Sequence, residues 1–219
     1  NGKSMIMDIL CRLCGSVNTK LLTNKCKGYV EDTFYNIFRC NDCTAHFTIE
    51  ADTNIGLFDD MYLDQNIHAY GRYFGYAHEV LRQNDPLAYL ASQELPYFAA
   101  EQLLSQFPVS AKVLDVGCGL GYLTFAIAKR GYDVVGIDVS DKALKFAGEK
   151  FGPSYYKAEL SELTNEEKFD VIFALEVIES VQNPMEFIPQ AVSFLNPGGK
   201  LMVTFPNRDY YPKKSIWLT

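Results

Sequence analysis

Short apolar runs alternate with helical stretches along the second half of the chain. "KVLDV", "DVVGID" and "FDVIFAL" are rich in β-branched and aromatic residues and predict strands, with weaker strands in "SYYKAEL" and "PGGKLMVTF". The helical stretches between them include one that Gly131 ends, one with Ser140 as N-cap, and one that runs from Pro184 to about Leu195. This order predicts an α/β fold with a doubly wound, mostly parallel sheet. Its ligand crevice should lie at the carboxyl ends of the strands.

A helical segment is predicted ahead of the first of these strands. In "NDPLAYLASQELPYFAAEQLLSQFP", Asp85 is a candidate N-cap and Pro86 occupies the first helical position, while Phe107 and Pro108 end the segment. Pro96 lies in the interior, where it should kink the helix or split it in two.

An aromatic segment, "HAYGRYFGYAHEV", precedes those helices. Its rings, among them Tyr70 and Tyr73, favour either a segment that packs on the neighbouring domain or a lid over a ligand pocket. Ahead of it, residues from 51 onward show no clear period and predict a linker. We therefore divide the chain into residues 5–50, a bridge at 51–108, and a main domain at 109–219.

Two C-x-x-C pairs, "CRLC" and "CNDC", lie near the start of the chain with 25 residues between them. Each pair directs two sulfur atoms to one point, and two such turns supply the four ligands of a tetrahedral zinc site. The predicted ligands are Cys11, Cys14, Cys40 and Cys43. Four thiolates leave no position for water, so the zinc would be structural and residues 5–50 would form a zinc ribbon.

Other roles for these cysteines and their neighbours stay open. The pairs are alternatively redox dithiols or disulfides, and His46 is a substitute ligand that four cysteines make unnecessary. Cys26 lies outside the pairs and is interpreted as a small apolar filler.

Three alternate glycines, Gly117, Gly119 and Gly121, follow the strand "KVLDV". Glycines at this point permit a tight turn and the close approach of a ligand to the backbone. The dinucleotide-binding pattern G-x-G-x-x-G requires a further glycine at position 122, where this chain has Tyr122. We expect the bulk of Tyr122 to crowd the position of a pyrophosphate.

An acidic residue ends each of the two strands beside these glycines. Asp138 ends the second strand, where a carboxylate can accept both hydroxyls of a ribose. Asp115 precedes the glycines and suits an amino-bearing group. Together they favour a nucleoside that carries an amino acid, although each aspartate alone is equally explained by helix capping or loop hydrogen bonds.

Composition narrows the classes of partner. The 219-residue chain has a formal net charge of -7, which argues against general electrostatic binding of nucleic acid. No apolar run is long enough to span a bilayer, and no secretory leader opens the sequence. We expect a cytoplasmic protein whose cysteines stay reduced. We interpret residues 1–4 as a remnant of expression, with the native start at Met5 or Met7.

The motifs "LDVGCGLGYLT", "VVGIDVS", "FDVIFALEVIESV" and "LNPGGKLMVTFPN" resemble, in order, those of class I S-adenosylmethionine-dependent methyltransferases. The resemblance covers roughly residues 111–207 and implies a Rossmann-like methyltransferase fold with S-adenosylmethionine as cofactor. With a cysteine ribbon and a tyrosine-rich segment in front, the chain is similar to a subset of these enzymes, several of which act in sugar, glycan or natural-product biosynthesis.

The resemblance implies which residues contact the cofactor. Asp138 would hold the ribose, and Val139 would touch the adenine. The residues that would line the methionine part are Asp115, Gly117, Cys118, Gly119 and Gly121.

Further contacts are implied at the next two strands and in the bridge. Glu159 and Leu160 would cap the adenine edge, and Leu175 and Glu176 would lie beside the sulfonium. Tyr73 would close the pocket from the bridge, together with Tyr70.

The chain departs from the family pattern in two places. Ser180 stands where many relatives have histidine, so the general base is left open among Glu176, Glu179, His68, His78 and a tyrosine. Relatives also continue past the fifth strand with a helix and a two-stranded hairpin. We therefore expect those C-terminal strands to be missing here and the natural chain to continue.

The leading hypothesis is an enzyme that transfers a methyl group to a small molecule, such as a sugar or a glycan-biosynthesis intermediate. Alignment of nucleophile, methyl and sulfur supplies much of the rate in such a displacement, so a base is optional. Two alternatives are an RNA methyltransferase that docks through its ribbon and a binding protein that keeps the cofactor fold without turnover.

Overall fold

The computed structural model describes residues 9–28, 34–49, 62, 71–164, 167–181 and 183–206. The chain forms two compact units. The smaller contains residues 1–53, 181–186 and 207–219, and the larger contains 54–180 and 187–206. The predicted linker residues 51–61, His68, Tyr70 and residues 207–219 lie outside the described residues.

The smaller unit contains a three-stranded antiparallel sheet. Its strands are β1 (Thr19–Lys27), β2 (Phe34–Cys40) and β3 (His46–Thr48), in the order β1-β2-β3. The cysteine turns flank these strands, because Cys11 and Cys14 precede β1 and the second pair spans the connection from β2 to β3. Cys26 on β1 is buried with Ile37, in agreement with its interpretation as a small apolar filler.

The larger unit is built on a five-stranded parallel sheet with the order β6-β5-β4-β7-β8. The strands are β4 (Lys112–Val116), β5 (Asp133–Asp138), β6 (Tyr155–Lys157), β7 (Phe169–Leu175) and β8 (Leu195–Thr204). The chain builds outward from β4 to β6 on one side and then returns to place β7 on the other. Strand order thus reverses beside β4, where ligands of such sheets bind.

Both faces of this sheet are covered. Consecutive residues on a strand point to opposite faces, yet Val113 and Leu114 on β4 are both fully buried, as are Val171 and Ile172 on β7. Such strands are typical of parallel sheets with helices on both faces. The predicted doubly wound, parallel α/β fold is therefore confirmed.

Six α-helices have both of their ends among the described residues, and the isolated described residue Tyr62 is also helical. The six are α1 (Gly71–Glu79), α2 (Pro86–Gln93), α3 (Leu95–Leu104), α4 (Tyr122–Lys129), α5 (Asp141–Phe151) and α6 (Pro184–Ser193). Short 3-10 turns cover Val80–Arg82 and Leu160–Glu162.

The predicted helix signals are in place. The side chain of Asp85 accepts a hydrogen bond from Ala88 N at 3.1 Å, and Ser140 caps α5 through Ala143 N at 3.1 Å. Pro96 splits its segment, since Glu94 takes an extended conformation between α2 and α3.

The last helix and strand differ slightly from prediction. Helix α6 ends at Ser193, two residues early, and β8 already begins at Leu195. The expected turn in "PGG" is an irregularity inside β8, because Leu195 pairs with Phe169 but the next pair joins Lys200 to Val171. Gly198, with φ +83°, accommodates it.

Candidate functional site

The glycine loop joins β4 to α4 at the point where strand order reverses. Its three glycines all have left-handed backbones, with φ +69° at Gly117, +50° at Gly119 and +76° at Gly121. Side-chain-bearing residues adopt this conformation only at a cost in free energy, which explains the alternate glycines. Backbone N–H groups of Gly117 and Cys118 are held by the carbonyl of Ile137, at 2.8 and 3.0 Å.

Each loop glycine also leaves room for a neighbouring side chain. A Cβ atom on Gly117 would collide with Val177, in the turn after β7. A Cβ on Gly119 would lie 2.7 Å from Cε1 of Tyr62. Tyr62 was missed by sequence reasoning, because its stretch showed no period and was interpreted as linker. Its only signal was an aromatic residue in a polar stretch.

Asp138 is tied to the glycine loop. The residue is buried at the end of β5; its Oδ2 accepts a hydrogen bond from Gly119 N at 2.8 Å, and Oδ1 accepts one from Ser140 N at 2.8 Å. Asp138 therefore does make the loop hydrogen bonds that the sequence left open as an alternative to ligand binding. A carboxylate has about four acceptor sites, so these bonds are compatible with an additional hydroxyl ligand.

Asp115 is buried on β4 and accepts a hydrogen bond from the Thr124 hydroxyl at 2.7 Å. Burial raises the pKa of its carboxyl to about 7; the Thr124 bond opposes this rise and the charge of Asp138 adds to it. Its observed partner is therefore a hydroxyl on α4, and its first role is to fix the start of that helix against β4.

Two loop side chains point into the protein. Cys118 is buried with its Sγ against Gly136, where a Cβ would lie 2.9 Å from that sulfur, so only the backbone of Cys118 is left to line a cofactor site. Tyr122 is buried too, and its hydroxyl lies 2.6 Å from that of Tyr97. The expectation that Tyr122 crowds a pyrophosphate was wrong, because its ring lies in the aromatic core.

The residues implied for the adenine follow β5 and β6. Val139 is half-buried directly after Asp138, and Leu160 is buried at the start of a 3-10 turn. Glu159 begins that turn in a capping box with Glu162, whose carboxylate accepts from Glu159 N at 2.7 Å. The backbone here is held by local capping, independently of any ligand.

A strained turn follows β7. Glu176 has φ +57°, which is uncommon for a residue with a side chain. Its N–H donates to the Thr204 carbonyl at 3.1 Å, while Leu175 is half-buried at the strand end. Partial burial raises the pKa of Glu176, which stays largely exposed, and raises that of the half-buried Glu179 to about 7.

Tyr73 lies between this turn and the start of α4. Its ring stacks on Tyr122 with centroids 6.4 Å apart, and its hydroxyl accepts from Arg72 at 2.6 Å. Burial raises the pKa of Tyr73 to about 12; Arg72 opposes the rise, whereas the glutamates Glu94, Glu176 and Glu179 add to it.

Glu94, which lies in the break between α2 and α3, binds two residues of the aromatic segment. It accepts from Arg72 Nε at 2.7 Å and from the Tyr76 hydroxyl at 2.8 Å. Sequence reasoning missed this network, because Arg72 and Glu94 are 22 residues apart. The aromatic segment thus packs as core, and Tyr73 additionally borders the turn after β7.

Of the histidines named as base candidates, His78 is directed elsewhere. It packs between Phe74 and Phe146, with ring centroids 4.7 and 6.2 Å away, and its Nδ1 lies 3.2 Å from Lys150 Nζ. Burial and Lys150 lower its pKa. His78 therefore belongs to the contact between α1 and α5 and is not a base beside the glycine loop. His68 lies outside the described residues.

The four predicted ligand cysteines meet at one point in the smaller unit. Their sulfur atoms all lie within 4.8 Å of one another, with 3.6 Å between Cys11 and Cys43 and 3.6 Å between Cys14 and Cys40. Zinc–sulfur bonds of about 2.3 Å imply sulfur–sulfur distances of about 3.8 Å in a tetrahedron. The donor set and its spacing therefore fit a zinc ion.

A polar network fastens the two cysteine turns together. Asp42 accepts hydrogen bonds from the Ser16 hydroxyl at 2.5 Å and from Asn18 Nδ2 at 2.8 Å, which lowers its pKa. The Cys43 N–H lies 3.4 Å from Cys40 Sγ and lowers the pKa of that thiol to about 7. This contact favours the thiolate form at Cys40, whereas at Cys14 in the same cluster the Ser16 N–H is outweighed by bonds to the neighbouring sulfur atoms, which raise the pKa of that thiol to about 12.

None of the helices in the described ranges is long and apolar enough to cross a membrane.

Comparison with known proteins gives curated relatives that match part of the chain. A ubiquinone biosynthesis O-methyltransferase from Azoarcus is 37% identical over 106 residues, which is 45% of this chain and 46% of that protein. Its counterpart from Coxiella burnetii is 35% identical over 104 residues, covering 45% and 44%. The chain thus matches about half the length of these curated relatives.

The fold also has a solved counterpart. Magnesium protoporphyrin IX methyltransferase from Synechocystis, solved with bound S-adenosylmethionine, superposes with a TM-score of 0.50 at 20% identity, over 75% of this chain and 76% of that one. At this identity the likeness shows the fold alone, and that fold is the Rossmann-like methyltransferase fold predicted.

The family model described as "Methyltransferase domain" matches residues 82–218, more than half of the chain. The matched range contains the glycine loop, Asp138 and the strained turn after β7. The chain belongs to this methyltransferase family.

Proposed function

We propose that this chain binds S-adenosylmethionine on the glycine loop and transfers its methyl group to a small-molecule acceptor. The observation that carries the proposal is the bond from Gly119 N to Asp138 Oδ2. It places a strand-end carboxylate directly against three left-handed glycines, at the edge where parallel sheets bind ligands.

The loop residues have separate tasks in this proposal. Asp138 accepts ribose hydroxyls, and the backbone of Gly117 to Gly121 leaves room for the methionine end. Val139, Glu159 and Leu160 border the adenine. When bound, S-adenosylmethionine supplies an electrophilic methyl group on a sulfonium. Leu175, Glu176 and Tyr73 border the point of transfer.

The proposed acceptor is a small molecule. The curated relatives are named for O-methylation in ubiquinone biosynthesis, and the motif resemblance implies a sugar or glycan intermediate. Both are small acceptors, and we propose that class for this chain. An RNA methyltransferase is disfavoured by the net charge of -7.

We further propose that the four cysteines hold structural zinc within a ribbon at 5–50, followed by a bridge at 51–108 and the catalytic core at 109–219. A reducing cytoplasm would keep those thiols available for metal. Without the ion the small sheet has little core, since its described residues bury only Cys26, Ile37 and Phe38 besides two of the ligand cysteines.

The proposal is tested with S-adenosylmethionine that carries a labelled methyl group. Zinc-replete protein is incubated with the label and either a small-metabolite fraction or total RNA. We expect label in the small-metabolite fraction, and loss of transfer in Asp138→Ala. The exposed Asp141→Ala is the matched control. Label in RNA would replace the proposal with the alternative, and cofactor binding without transfer would indicate a binding protein.

A further inference from the structure

One carboxylate oxygen in the turn after β7 has no hydrogen-bond partner in the described parts of the chain, although the residue that carries it is half-buried. Oε2 of Glu179 is shielded from solvent and unpaired. Leaving a buried carboxylate oxygen unpaired costs free energy, so such atoms in folded proteins require an explanation, and a functional site is a common one.

The turn that carries Glu179 lies against the glycine loop. Ser180 N donates to the Val177 carbonyl at 2.9 Å and closes the turn, and the Val177 side chain lies where a Cβ on Gly117 would be. Glu179 is thus two residues from a direct contact with the loop proposed to hold the cofactor. The turn begins at Glu176, whose left-handed backbone redirects the chain at the strand end.

Among the residues that the structure describes, the charged and titratable groups near the turn of Glu179 are acidic or already engaged. Glu176 shares its turn and Tyr73 faces it from α1. The nearby cation Arg72 is held by Glu94 and by the Tyr73 hydroxyl, at 2.7 and 2.6 Å. Burial, with a contribution from Glu176, raises the pKa of Glu179 to about 7, although its own backbone N–H opposes the rise. A carboxyl in this range can both take and release a proton near neutral pH.

We propose that Glu179 accepts the proton that the acceptor loses during methyl transfer, and thereby replaces the histidine that Ser180 displaces. The inference rests on the proposed function. A lone pair on an acceptor oxygen or nitrogen forms the bond to the methyl carbon, and the carbon–sulfur bond breaks with its electron pair passing to sulfur. The O–H or N–H proton goes to the Glu179 carboxylate. The acceptor class is therefore a hydroxyl or an amine.

The test does not require the natural acceptor. Sinefungin carries a protonated amine where the cofactor carries its methyl group, whereas S-adenosylhomocysteine has no group there. Calorimetry measures both affinities between pH 5.5 and 7.5, a range in which an aliphatic amine stays charged. If ionised Glu179 faces that amine, the preference for sinefungin should rise severalfold across the range, approaching tenfold for a coupling of one pKa unit.

Glu179→Gln keeps the size of the side chain and should remove the pH dependence while S-adenosylhomocysteine affinity is retained. The exposed Glu149→Gln should behave as the parent protein. A pH-independent preference in the parent, or a dependence removed by Glu176→Gln and kept in Glu179→Gln, would overturn the assignment. Failure of both ligands to bind would instead overturn the proposed function.

Discussion

The sharpest stability prediction concerns Gly121, the last glycine of the loop. Replacement by alanine adds one methyl group to a backbone with φ +76°. That methyl would lie 2.6 Å from Cβ of Ala147 and 2.6 Å from Cε1 of Tyr155. Neither neighbour can easily move, because Ala147 is buried on α5 and the Tyr155 hydroxyl donates to the Gly121 carbonyl at 2.8 Å.

The expected loss in the free energy of unfolding has two parts. A left-handed backbone costs a residue with a Cβ about 1–2 kcal/mol, and overpacking a close-packed contact costs about 1–3 kcal/mol. Gly121→Ala should therefore lose about 2–5 kcal/mol. Gly131→Ala separates the two parts, since Gly131 has φ +93° but a Cβ there would meet no atom of the described chain within 4 Å. Its loss should stay at about 1–2 kcal/mol.

Urea unfolding followed by far-ultraviolet circular dichroism measures both losses. The midpoint should fall further for Gly121→Ala than for Gly131→Ala at an unchanged slope, because the surface exposed on unfolding stays the same. Equal losses in the two variants would show that packing of the loop against α5 and β6 contributes nothing, and the reasoning would fail.

Three further predictions follow from buried polar groups and from the cysteines. The raised pKa of Asp115 means that the folded chain keeps a proton which the unfolded chain releases. The free energy of unfolding should therefore fall as the pH rises from about 4 to 7, by up to about 4 kcal/mol. Asp115→Asn should flatten this dependence in thermal unfolding measured from pH 4.5 to 8. Tyr97→Phe leaves the buried Tyr122 hydroxyl without its partner and should cost about 1–3 kcal/mol in urea unfolding, whereas the exposed Tyr156→Phe should cost almost nothing. Cys40→Ser should lower bound zinc from one ion per chain, measured by mass spectrometry of metals, and should remove amide-exchange protection from β1 and β2.

Each of these has an outcome that contradicts it. If the stability of Asp115→Asn depended on pH as steeply as that of the parent protein, a group other than Asp115 would cause the dependence. Equal losses in the free energy of unfolding for the two tyrosine variants would show that the Tyr97–Tyr122 hydrogen bond does not stabilise the core. Protection retained in Cys40→Ser would show that the small sheet folds without a metal.

Local signals predicted most of the fold, because they depend on neighbours in sequence. The alternation of strands and helices predicted the parallel sheet. Asp85 and Ser140 indicated the starts of two helices, and Pro96 indicated a break. The glycine loop was predictable for the same reason. Three glycines at alternate positions after a buried strand already indicate a strained loop.

Contacts between distant segments were beyond this reasoning. Nothing near Tyr62 indicates that its ring lies against Gly119, and nothing near Tyr122 shows that its hydroxyl meets Tyr97. The same limit left His78 among the base candidates, whereas packing directs it to Phe146 on α5. Such choices are made by tertiary packing, which one-dimensional periodicity does not contain.

The most direct test of the account is a calorimetric titration of zinc-replete protein with S-adenosylhomocysteine, with NADH as the control ligand. The account predicts micromolar binding of S-adenosylhomocysteine that Asp138→Ala removes and the exposed Asp141→Ala keeps, and no binding of NADH. Binding of NADH, or S-adenosylhomocysteine binding that survives in Asp138→Ala, would contradict the assignment of the glycine loop and Asp138 to the methyl donor.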